Sequence, residues 1–160
     1  MAAEIILSKF PYQYGAWFQC IGGDDPVHGA YYYMARWLKK ERIDYKSRWI
    51  GGFDYPNPNW MPPPHGCVGL LFVDESEVKD GKFKGIYTYK FDTSGEYATL
   101  SENCHISEAW RLMNAFRDRG EYAFDTEKGR QYFEMHFFGD ENFDHDERLT
   151  FNIWMPVKKV

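Results

Sequence analysis

The chain has 160 residues, an aromatic share of 19%, a mean hydropathy of −0.62 and a formal net charge of −5. That length supports one domain with a sizeable core, and the acidic balance argues against a nucleic-acid partner, which needs clustered Lys and Arg. The longest uncharged apolar run, Cys67 to Val73, falls far short of the roughly 20 residues of a membrane span, and no basic-then-apolar leader is seen.

Cys20, Cys67 and Cys104 are odd in number and far apart, and five histidines are scattered without metal-ligand spacing. The expectation is a reduced, cytoplasmic compartment, with no metal and no cofactor. There is no Gly-x-Ser-x-Gly, and no cysteine has a reactive local signature, so no catalytic nucleophile is assigned.

Tyr12 to Ile21 reads as a strand rich in rings. Asp25-Pro26 supplies an N-cap and a first-turn proline, and Tyr31, Met34 and Leu38 then recur at helical spacing. Arg48 to Tyr55 reads as a strand weakened or bulged at Gly51-Gly52. Residues 57–66 carry Pro58, Pro62, Pro63 and Pro64 around Trp60 and Met61 and must form a loop. Packing on the core is the default for Trp60 and Met61, and closing over a ligand is the alternative. Gly66 to Val73 is a nearly continuous apolar strand, and Ile86 to Phe91 alternates weakly as an extra connecting strand.

The order then repeats. Tyr97 to Ser101 begins a strand, Ser107 can cap a helix to about Arg119, and Gly120 can end it. Arg130 to Phe138 and Leu149 to Val157 are the last two strands, joined by a very acidic turn at residues 139–148. That turn lacks the glycine and glutamate register of a calcium loop, so it reads as a solvated hairpin tip. Ala30 and Ala109, Tyr31 and Trp110, Met34 and Met113, and Trp37 and Phe116 share one offset of 79 positions. The unit is strand–helix–strand–strand, used twice. Two copies are too few for a solenoid, but they can place a groove on their pseudo-symmetry axis.

Within Tyr132 to Phe138, alternation puts Tyr132, Glu134 and His136 on one face and Phe133, Met135 and Phe137 on the other. A solvated polar face is one reading of Glu134. A carboxylate standing among rings in a cavity, facing a polar or cationic ligand, is the other.

These residues resemble the GyrI-like small-molecule-binding family, which includes effector-binding domains of AraC- and MerR-type activators and DNA gyrase inhibitor-like proteins. The resemblance rests on Ala16-Trp17-Phe18-Gln19-Cys20-Ile21-Gly22, on Tyr97-Ala98-Thr99-Leu100, on Tyr132-Phe133-Glu134-Met135, and on Met155-Pro156-Val157. It implies an α+β fold: two strand–helix–strand–strand modules with pseudo-twofold symmetry, an antiparallel sheet, two main helices and a central groove. Module one would cover about residues 4–75 and module two about 84–160 of a single GyrI-like domain spanning 1–160. The family glutamate carries over to Glu134. Where the family often has a tyrosine two residues further on, this chain has His136.

The resemblance implies a standalone binder of apolar, often cationic, aromatic compounds. Glu134 would supply charge, with Trp17, Phe53, Tyr55, Trp110, His136 and Trp154 as candidate ligand-binding residues. Trp110 is also a candidate for plain core. Two alternatives stand beside this reading. One is a hydrolase of reactive cyclopropane-bearing compounds that uses the pocket glutamate, helped by Tyr55 or His136. The other is a protein-interaction role such as gyrase inhibition.

Overall fold

The first strand–helix–strand–strand unit is β2 (Tyr14–Ile21), α1 (Pro26–Lys40), β3 (Trp49–Asp54) and β4 (Gly66–Val73); the second is β6 (Tyr97–Leu100), α3 (Ile106–Asp118), β8 (Phe133–Phe137) and β9 (Asn152–Lys159). Four shorter elements complete the computed structural model: β1 (Ile5–Ser8), α2 (Glu75–Lys79), β5 (Thr88–Lys90) and β7 (Tyr122–Phe124). The structure describes residues 2–127, 129–137 and 150–160. The acidic turn expected at 139–148, and the outer ends Phe138 and Leu149 of the two expected flanking strands, lie outside the described residues.

The described strands form a nine-stranded antiparallel sheet in the order β1-β6-β9-β8-β3-β4-β2-β5, with β7 on β9. The order runs alike outward from the β3–β8 seam: β3-β4-β2 on one side, β8-β9-β6 on the other. Each unit thus contributes its middle strand to the centre, as a pseudo-twofold duplication requires.

Both main helices cover one face. Tyr31, Met34 and Leu38 of α1 pack on Ala16, Phe18, Ile50, Leu71 and Val73. Ala109 and Met113 of α3 pack on Ala98, Leu100, Ile153 and Met155. Met34, Leu38 and Met113 are fully buried, and each such side chain contributes about 1.5–3 kcal/mol relative to exposure. The opposite face has no helix and is filled by rings and aliphatics, among them Phe10, Leu70, Phe72, Phe91, Tyr97, Phe133 and Met135.

Asp25 caps α1 by accepting from the His28 N–H at 3.0 Å, with Pro26 in the first turn. At α3 the cap is His105 rather than Ser107, because the His105 ring nitrogen Nδ1 accepts from the Ser107 N–H at 3.2 Å. Gly120, at φ 81°, follows the helix end as expected.

The expected bulge at Gly51-Gly52 is absent, since β3 pairs without interruption with β4 from Ile50↔Leu71 to Asp54↔Cys67. The glycines serve close approach instead: the Tyr31 hydroxyl donates to the Gly51 carbonyl at 2.9 Å. Trp60 does not pack on the core and is 80% exposed.

Candidate functional site

The seam between β3 and β8 is four residue pairs long, from Trp49↔Phe137 to Gly52↔Glu134. Gly52 also faces Gly69, and Gly69 faces Phe18. Residues opposite one another across a sheet share a face, so Glu134 stands on the face that Phe18 and α1 occupy. His136 follows on the same face and is buried, its ring edge-on to Tyr31 at 5.8 Å and to Phe151 at 4.9 Å.

From the other helix, the Trp110 indole N–H donates to Glu134 Oε1 at 2.7 Å. The Trp110 ring meets Tyr132 edge-on at 5.8 Å. Glu134 is therefore a half-buried carboxylate between Trp110 of α3 and the strand that Tyr31 of α1 overlies. Among the described residues, no Lys or Arg forms an ion pair with it. Its negative charge is felt nearby. Burial raises the pKa of both the Tyr31 and the Tyr132 phenols, and the Glu134 field adds to the rise in each. A carboxylate with one oxygen fixed by an indole, and with no Lys or Arg paired to it among the described residues, retains lone pairs that can accept from a positive group.

The seven residues singled out from sequence do not share one cavity. Glu134 and Trp110 meet on the helix face, and His136 lies on the same face beside Tyr31 and Phe151. Trp17, Phe53 and Tyr55 meet on the opposite face, where Trp17 lies 5.4 Å from Phe53 and 5.6 Å from Tyr55 between ring centres. Trp154 also belongs to that face but packs into its core, 5.3 Å from Phe10 and 6.5 Å from Tyr97. The physical reason is parity: Trp17 neighbours Phe18 in β2, so its side chain points away from the helices.

Tyr31 beside His136, and Tyr87 and Tyr89 beside Trp17, were not singled out from sequence, because Tyr31 lies in the buried helix stripe and Ile86 to Phe91 alternates weakly. The repeat offset that equates Tyr31 with Trp110 was the available signal for the first.

Among the described residues no group of three or more His, Cys, Asp or Glu could hold a metal ion, and no helix is long and apolar enough to cross a membrane. No family model matches the chain, and no curated protein matches it. Solved structures do. A protein named SAV2435, solved bound to tetraphenylphosphonium, is 14% identical with a TM-score of 0.54, covering 97% of this chain and 94% of its own. An uncharacterized conserved protein from Listeria innocua is 15% identical with a TM-score of 0.55, covering 97% and 92%. A hydrolase from Listeria innocua is 14% identical with a TM-score of 0.52, with the same coverage. At such identities the likeness is one of fold, and this chain shares the fold of these three proteins.

Proposed function

We propose that the chain binds apolar cationic aromatic molecules on the helix face of its central seam, with Glu134 as the charge partner. The observation that carries this reading is the Glu134 carboxylate, held by Trp110 and without a basic partner among the described residues. Tyr31, Tyr132 and His136 provide ring surface around it. The neighbour solved with tetraphenylphosphonium supports a ligand of this class. In the same reading, the modules at about 4–75 and 84–160 form one GyrI-like domain and unfold in one transition.

The test is a titration of tetraphenylphosphonium and of neutral triphenylphosphine oxide against the protein and its Glu134→Gln variant. A charged hydrogen bond or an unpaired buried charge is worth about 1–3 kcal/mol, so the cation loses roughly 5- to 150-fold in affinity. The neutral ligand loses less. Equal losses for the two ligands refute the role given to Glu134.

Hydrolysis is the second reading, favoured by the position of Glu134 and His136 two residues apart on one face. Incubation with a cyclopropane-bearing alkylating compound, followed by mass measurement, separates the two: turnover adds water, and binding does not.

A further inference from the structure

The face without helices carries a cavity of its own, about 640 Å³, lined among the described residues by no charged side chain. Its walls are Trp17, Phe53, Tyr55, Tyr87 and Tyr89. Trp17 is the hub, with ring-centre distances of 5.4 Å to Phe53, 5.6 Å to Tyr55, 6.0 Å to Tyr87 and 5.7 Å to Tyr89. Three of these rings stand at 73°, 81° and 75° to the indole plane. Gln19 fixes the indole, accepting from its N–H at 2.8 Å.

The backbone builds this box. The Trp17 N–H donates to the Tyr87 carbonyl at 2.8 Å, and Tyr89 pairs with Gly15. These contacts place alternate residues of the β5 region beside the indole. Lys90, which follows Tyr89, points to the other face and lies over Tyr14 at 5.8 Å.

Upright rings around an indole make a half-open cup, not the parallel slot that a flat ligand needs. Ring faces carry negative potential, so a box of them without any charge of its own selects a compact cation that sheds water easily. An anion finds no charged donor there among the described residues. Tyr55, Tyr87 and Tyr89 are 41%, 61% and 41% exposed, and their hydroxyls have no hydrogen-bond partner among the described residues. The cavity exceeds a trimethylammonium head, and these hydroxyls and Gln131 give its remaining space a neutral polar character.

We propose that this aromatic box is a second binding site, for a small free molecule with a quaternary ammonium head and a neutral polar tail. It is independent of the Glu134 site, from which the sheet separates it. The test uses choline and its neutral isostere 3,3-dimethylbutan-1-ol, followed by calorimetry and by the ligand methyl resonances. Choline binds about tenfold or more tightly than the isostere, with its methyl protons shifted upfield by the rings. Tyr87→Leu and Tyr89→Leu, at exposed rings, each weaken choline severalfold, and Trp17→Leu removes it. Glu134→Gln leaves choline binding unchanged. Equal binding of choline and the isostere overturns the proposal, as does loss of choline binding in Glu134→Gln. Binding to phosphatidylcholine vesicles that free choline does not displace overturns it in favour of a membrane surface.

Discussion

Gly52→Ala tests the packing that holds α1 over the central seam. A Cβ at Gly52 would lie 2.7 Å from the Tyr31 hydroxyl and 2.7 Å from the Val68 carbonyl oxygen. The first contact is relieved only if Tyr31 turns away, which gives up its bond to the Gly51 carbonyl, a net loss of about 1 kcal/mol. The second contact is with backbone, and relieving it means prying β3 from β4. Overpacking of this kind costs about 1–3 kcal/mol, which brings the total to about 2–4 kcal/mol. For a chain of this size each kcal/mol moves Tm by about 2–4 °C, so the melt falls by roughly 4–16 °C. A thermal melt followed by circular dichroism reads this directly. In the double variant Gly52→Ala with Tyr31→Phe, the hydroxyl clash is gone, so the combined loss is smaller than the sum of the single losses. A fall of less than 2 °C for Gly52→Ala, or strictly additive losses, refutes the account of why glycine stands there.

Three further outcomes follow from the structure. The Arg48 guanidinium, in two hydrogen bonds of 2.9 and 2.6 Å, holds the Glu77 carboxyl at about 2 against an ordinary 4.5. The resulting stability is present above pH 4.5 and fades as pH falls toward 2, so Arg48→Met costs about 1–2 kcal/mol at pH 7, after allowance for solvent screening, and flattens acid unfolding in that window. Asn152 is buried, with Oδ1 accepting from the Thr99 hydroxyl and the Leu100 N–H and Nδ2 donating to the Leu100 carbonyl. Asn152→Leu strands those groups and lowers stability by about 2–4 kcal/mol in urea titration. Burial pushes the Cys67 thiol up to about 12 and also raises that of the partly exposed Cys104, so iodoacetamide at pH 8 labels the partly exposed Cys20 first, Cys104 more slowly, and spares buried Cys67 in the native protein, as mass spectrometry will show.

What the sequence disclosed was what local periodicity encodes. The continuous apolar run gave β4 to the residue, Gly66–Val73, because a strand covered on both faces has no polar positions to interrupt it. The helix stripes at Tyr31, Met34 and Leu38 and at Ala109, Leu112, Met113 and Phe116 were equally plain; all of these are buried except Leu112 and Phe116, which were expected to be buried and are only half-buried. β1, α2 and β7 escaped notice because three to five residues are too few to show a period. At α2 a signal existed all the same: Glu77 lies three residues beyond Asp74 and its carboxylate accepts from the Asp74 N–H at 3.2 Å. The face that Glu134 shares with His136 was legible within one strand. The face of Trp17 relative to Glu134 was not, since it depends on three successive registers, β2–β4, β4–β3 and β3–β8. A slip of one residue in any of them would exchange the faces, and nothing local sets those registers.

Strand β1 has a consequence for how the chain is made. It lies beside the first module in sequence but pairs with β6 of the second, from Ile5↔Leu100 to Ser8↔Tyr97, and the Glu4 N–H donates to the Ser101 hydroxyl 97 positions away. At synthesis rates of about 5–20 residues per second, some 5–20 s pass between emergence of the strand and emergence of its partner. For that interval Ile5, Ile6 and Leu7 have no ladder to join, while β2, β3 and β4 can already pair among themselves. The first module can therefore close around its own core on the ribosome with its leading strand unpaired. The outer edge of the second module is sealed by residues that were translated before any of its own.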